Sequence, residues 1–129
     1  MHVCFQVYVS PHIFFNFQAG KGHPKMALCR TDLAFYMLDQ MPDIVGSMPC
    51  TKASKLATFG LSAVNQASAP VRKAGERFMI KLFEISPKAV RKAMPPDNPH
   101  TRKSNLNYKY MYDEFIRIEK TRETESDDE

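Results

Sequence analysis

The chain reads as all-α, a stack of antiparallel helix pairs. Three observations predict this. Apolar residues recur at i, i+3/i+4 spacing in every segment after Gly22. Helix start and stop signals, mostly prolines and small polar residues, fall between those periodic segments. The connections they leave are short, which favours neighbouring antiparallel helices. At 129 residues with a hydrophobic fraction of 43%, the chain has the material for one small domain with a modest core.

The first helix is expected over Lys25–Met41, with Met26, Cys29, Leu33, Tyr36, Met37 and Met41 as its apolar stripe. Pro24 suits its first turn and Pro42 stops it. Asp43–Cys50, with Gly46 and Pro49, reads as a loop. Thr51 is expected to cap a second helix running to about Gln66, whose inward face is Leu56, Phe59, Gly60, Ala63 and Ala67. Gly60 weakens that helix but permits a neighbour to approach closely. After the turn Ala67–Pro70, Ser68 caps a third helix facing the core through Val71, Ala74, Phe78, Leu82 and Ile85, flanked by Gly75 and Met79. Lys73, Glu76, Arg77, Lys81 and Glu84 supply its polar sides. Ser86-Pro87 places a cap before proline at the first helical position, so a short fourth helix runs to about Met94 and ends at Pro95-Pro96. The segment Asp97–Lys103 reads as a loop. A fifth helix, about Ser104–Lys120, turns Tyr108, Met111, Tyr112, Phe115 and Ile118 inward.

Net charge is +4, but it is unevenly distributed: Lys52–Lys109 holds twelve Lys or Arg against three acids, and Glu123–Glu129 holds five acids and no base. A basic body implies an acidic partner, whether nucleic acid, anionic lipid or an acidic protein surface. The three cysteines, Cys4, Cys29 and Cys50, have no C-x-x-C spacing and read as buried free thiols in a reducing compartment. Residues 1–23 do not fit the helical pattern. MHVCFQVYVSPHIFFNFQ lacks a basic start and is broken by polar residues, so it makes a poor signal peptide and a poor membrane span. It reads as irregular or non-native; a Phe/Tyr/Ser/Pro-rich run ending in Phe-Gln is what translation through a pyrimidine-rich intron end would give. Residues 24–120 form the helical segment, and residues 121–129 read as an acidic, disordered tail.

Thr51–Ile85 matches a HEAT-type repeat: a helix, a turn, and a second helix opening on Pro-Val-Arg. From Lys25 to about Glu119 the chain resembles the C-terminal part of a TOG domain, the HEAT-repeat module that binds tubulin. The residues carrying the likeness are Leu28, Arg30 and Leu33, then PVRKAGERFMIKLFEI, then AVRKAMPPDNPHTRKSNLNYKYMYDEFIRIE. The last run is most similar to the TOG domain of the centrosomal and ciliary-tip family named for a mass of one hundred and four kilodaltons. The resemblance implies an α-solenoid of HEAT/armadillo-like, TOG-type antiparallel pairs, present as a partial array. No tryptophan is available for the tryptophan-bearing turn of the earlier repeats. It also implies a cytoplasmic, cytoskeletal protein of the centrosome, centriole or cilium tip, with tubulin or microtubule-associated proteins as partners.

TOG domains meet tubulin through the turns within each helical pair, which here are Ser68–Lys73 and Pro95–Lys103. The candidate contact residues are therefore Lys73, Arg102 and Lys103, followed by Arg72, Pro96 and Asp97. Lys or Arg at a helix start opposes the macrodipole and needs a reason to be there; an acidic partner is one. Arg72 better suits a brace between neighbouring repeats, and Lys88, Arg91 and Lys92 a solvated face. Tyr108, Tyr110 and Tyr112 around Lys109 could stack on bases, but their spacing buries all except Tyr110. No nucleic acid, membrane or small-molecule substrate is expected. The four histidines are scattered, Ala19-Gly-Lys-Gly lacks the rest of a phosphate loop, and Asp113-Glu114 beside Arg117 is explained by ion pairing. The chain is expected to be non-enzymatic and without cofactor or metal. A generic α-helical adaptor for another protein is the alternative.

Overall fold

The computed structural model describes residues 23–127, so the readings made for the N-terminal segment and for the last two residues lie outside it. Six helices follow in order: α1 (Pro24–Gln40), α2 (Ala53–Val64), α3 (Ala69–Ile85), α4 (Pro87–Ala93), α5 (Pro99–Ser104) and α6 (Leu106–Asp127). No strand occurs among the described residues. Two short 3-10 turns, Pro42–Ile44 and Pro49–Thr51, bridge α1 and α2. Between them Gly46 adopts φ 82°, a left-handed conformation that glycine takes without strain, and its N–H donates to the Thr51 carbonyl at 2.8 Å.

Helix α3 is the centre of the molecule. Val71, Ala74, Phe78, Met79, Leu82 and Phe83 are all buried, and α1, α2, α4 and α6 each pack on it. Contact with α2 is close enough to need glycine on both sides. A Cβ on Gly60 would lie 2.4 Å from the Met79 sulfur, and one on Gly75 would lie 2.7 Å from the Val64 backbone nitrogen. Since Gly60 meets Met79 while Gly75 meets Val64, α2 and α3 run in opposite directions. Helices α4 and α6 do likewise: Arg91 reaches Glu119, and the Pro95 carbonyl accepts from Tyr112 further back along α6. Helix α1 instead runs alongside α3 in the same sense, with Asp32 on Arg77 and Asp39 on Lys81. The same holds for α6: Tyr110 lies beside Arg77, Phe115 stacks on Phe83 with ring centroids 4.2 Å apart, and Arg122 donates to the Glu84 carbonyl.

Five sequence readings need correction. The stripe assigned to α1 is only half right: Met37 is buried and Leu33 and Met41 half-buried, but Met26, Cys29 and Tyr36 are exposed, and the rest of the buried face is Ala27, Thr31, Ala34 and Leu38. Small residues pack where α1 lies tightly on α3, and the Thr31 hydroxyl is satisfied by the Ala27 carbonyl at 2.7 Å. Cys29 is therefore exposed rather than buried, whereas Cys50 is buried as expected. Thr51 does not cap α2; its hydroxyl closes the preceding 3-10 turn through the N–H and carbonyl of Met48, and Lys52 occupies the cap position. Part of the expected Asp97–Lys103 loop is helix α5, opened by the Asn98 side chain accepting from the Thr101 N–H at 2.8 Å and by Pro99. Finally, α6 continues to Asp127, past the point where an unstructured tail was expected. Its inward residues Tyr108, Met111, Tyr112, Phe115 and Ile118 are all buried, as their spacing implies.

Candidate functional site

The corner joining α2 to α3 holds Ser68, Pro70, Arg72 and Lys73. Arg72 does not face outward. Its guanidinium donates to the Gln66 carbonyl at 3.0 Å and the Ala67 carbonyl at 2.6 Å, satisfying oxygens of the turn that follows α2. Arg72 is thus structural, but it ties α3 to the turn of its own helix pair rather than bracing neighbouring repeats. Lys73 is exposed, and no ion pair engages its ammonium among the described residues. Its position in the opening turns of α3 is the one the sequence assigned.

The corner from α4 through α5 to α6 is different. Arg102 grips both oxygens of Asp97 at 2.6 and 2.9 Å and reaches Asp113 at 2.6 Å. Its guanidinium also lies over the Tyr112 ring, 5.6 Å from the centroid. This two-pronged pairing holds the Asp97 carboxyl below the ordinary carboxylate range and raises Arg102. Arg102 and Asp97 therefore bind each other rather than standing ready for a partner. Arg102 and Lys103 occupy the last turn of α5, not a helix start, so the macrodipole favours them there. Lys103 and Pro96 are exposed.

A cleft of about 840 Å³ opens beside Lys73, between α1, α3 and the start of α6. Leu106, 74% exposed, and Tyr110, 50% exposed, form one wall, with Leu28 opposite. Glu76 also lines it, though only 9% of its surface is exposed. Burial raises its carboxyl above the usual range, against the pull of Lys73 and then Arg72. No hydrogen bond or ion pair engages Glu76 among the described residues; the neighbouring Asp32 is held by Arg77 at 3.2 Å. Sequence reading left Glu76 on a solvated side and missed the cleft. The signal that could have found it is the Leu106/Tyr110 pair, four residues apart on the face of α6 opposite Tyr108, Met111 and Phe115.

The two cationic residue types divide the work. Arg72, Arg77, Arg91, Arg102, Arg117 and Arg122 each bond to a carbonyl or carboxylate. Arg91, read as part of a solvated face, is half-buried over the stacked rings of Phe83 and Phe115 and bound to Glu119 at 2.8 Å. Lys81 bridges Asp39 and Glu84. Lys73, Lys88, Lys92, Lys103 and Lys109 are exposed without such partners. What the surface offers chemically is charge recognition. Among the described residues no group of three His, Cys, Asp or Glu is placed to hold a metal ion, and no helix is long and apolar enough to cross a membrane. Comparison with protein-family models, with curated proteins and with solved structures finds no match to the chain.

Proposed function

We propose that the chain is a non-enzymatic, TOG-like HEAT-repeat segment, a partial α-solenoid, that binds tubulin or microtubules and serves in centriole or ciliary-tip organisation. The observation that carries the reading is the Ser68–Lys73 corner: an exposed, unengaged ammonium on a turn whose neighbouring arginine is fixed to backbone. Such a corner meets an acidic protein surface without first breaking an internal ion pair. The helix directions support the solenoid: α1, α3 and α6 run side by side in one sense, while α2 and α4 run against α3 and α6. Successive helical repeats stack in this register. Lys103 extends the cationic edge, whereas Arg102 and Asp97 act by holding its loop in shape.

The test is gel filtration with free tubulin dimer, comparing the wild-type chain with a Lys73→Glu/Lys103→Glu double variant. The expected result is co-elution of wild type and loss of co-elution by the variant. If both behave alike, the proposed surface is wrong. If neither binds tubulin but both retain another protein partner, the generic adaptor replaces this reading.

A further inference from the structure

The two layers of the stack carry charge differently. Between Asp43 and Asp97 the chain has only two acids, Glu76 and Glu84. Both lie on α3 and line hollows shared with α1 and α6, alongside Asp32, Asp39 and Glu114. Helices α2 and α4 contain no acid at all. They pack side by side and run in the same sense, α2 antiparallel to α3 and α4 antiparallel to α6. Their exposed residues are Ser54, Lys55 and Thr58 on α2 and Lys88 and Lys92 on α4, with Lys52 exposed just ahead of α2. No ion pair engages these four lysines among the described residues, whereas Lys81 on the other layer bridges Asp39 and Glu84. Lys88 and Lys92 stand four apart, where like charges on a helix repel, and neither helix offers a carboxylate to relieve them. On the adjoining segments Glu119 and Asp97 are each held by an arginine, leaving Asp43 before α2 and Glu123 near the end of α6, neither paired with these lysines.

We infer that the α2/α4 face binds an extended acidic polypeptide, its carboxylates spread over Lys52, Lys55, Lys88 and Lys92. The groups on the face select that occupant. Thr58 and Ser62 turn their hydroxyls back to the Ser54 and Phe59 carbonyls, at 3.0 and 2.6 Å, so the ammonium groups supply the recognition. An ammonium is a compact point charge on a flexible stem and follows a mobile carboxylate; the arginine fork that suits phosphate is missing, because Arg91 is bound to Glu119. The exposed large apolar residues, Met26, Tyr36, Leu106 and Tyr110, are all on α1 or α6. The α2/α4 face therefore has neither a platform on which bases stack nor an anchor for a lipid surface. Packed helices lie about 8–10 Å apart, a distance an extended chain covers in about three residues, so one short segment reaches both. This face is separate from the Lys73 corner, so the inference and the tubulin reading can fail independently.

The test is fluorescence anisotropy of a labelled, capped oligoglutamate of about ten residues, long enough to cross both helices, titrated with the full chain. Wild type is expected to bind it and not its oligoglutamine counterpart. Affinity should fall about tenfold as salt rises from about 0.01 to about 0.15 M and the Debye length shortens from about 30 to about 8 Å. A Lys55→Gln/Lys88→Gln/Lys92→Gln variant should bind about tenfold more weakly or worse. A Lys25→Gln/Lys109→Gln/Lys120→Gln variant, equal in net charge but changed on α1 and α6, should match wild type. Equal losses in the two variants or no binding at millimolar peptide would overturn the inference. So would tighter binding, at the same salt, of a DNA duplex of equal charge or of phosphatidylserine vesicles.

Discussion

Two corners of this molecule look alike as sequence and behave oppositely as structure. Each follows a helix end, carries at least one proline, and holds an adjacent Arg-Lys pair, Arg72-Lys73 in one and Arg102-Lys103 in the other. In the α4–α6 corner the arginine binds two carboxylates and an aromatic face, so the loop is closed on itself. In the α2–α3 corner the arginine binds backbone, and the remaining charges, Lys73 and Glu76, border an open cleft. The difference teaches that a basic turn becomes a binding surface according to where its acids lie. Asp97 and Asp113 reach Arg102; no acid engages Lys73 in the same way.

The sharpest way to test this contrast is to truncate one tyrosine at each corner. Tyr112 is buried beneath Arg102, and Tyr112→Ala should cost about 3–5 kcal/mol in chemical denaturation, as loss of a buried aromatic does. Tyr110→Ala, two residues earlier on the exposed side, should change stability by less than about 0.5 kcal/mol. Equal losses would erase the distinction. Tyr112→Phe removes only the hydroxyl that donates to the Pro95 carbonyl at 2.6 Å, and should cost about 1 kcal/mol. Near-zero loss would show that this bond does not secure the corner.

Acid titration gives a smaller effect with opposite signs at the two corners. Asp97 is held below its ordinary value by Arg102, so its stabilising contribution is present above the unfolded-state pKa and is lost as pH falls through the lower folded value. Glu76 is raised by burial, so the folded state favours its protonated form. That contribution is present below the unfolded-state pKa and is lost as pH rises through the folded value. Asp97→Asn should therefore flatten the acid-side loss, and Glu76→Gln should raise stability near neutral pH. Denaturant midpoints at stepped pH values check both; a Glu76→Gln variant less stable than wild type at neutral pH would contradict the assignment.

Helix positions were largely legible because their signals are local. Ser68 and Ser86 stand at the cap positions of α3 and α4, though neither hydroxyl makes the capping hydrogen bond expected of it, Pro70 and Pro87 lie in the first turns, and the Tyr108–Ile118 stripe lies inward as spaced. Helix α5 carries the same kind of signal in Asn98-Pro99 as α4 does in Ser86-Pro87, but its six residues bury nothing and so show no apolar stripe to mark a helix. The α1 face was misread for a different reason. Large apolar residues set the expected stripe, yet tight helix contact selects Ala27, Thr31 and Ala34. Least legible were the partners of the charges. Arg91 with Glu119 and Arg77 with Asp32 join residues far apart in sequence, and spacing holds no record of them.

The most direct test of the central claim is the tubulin affinity of two charge reversals matched in net charge, Lys73→Glu and Lys109→Glu, measured in one buffer. Both lysines are exposed and neither is ion-paired among the described residues. If the open corner is the binding surface, Lys73→Glu weakens binding about tenfold or more while Lys109→Glu stays close to wild type. Equal weakening by both substitutions, or none by Lys73→Glu, would contradict it.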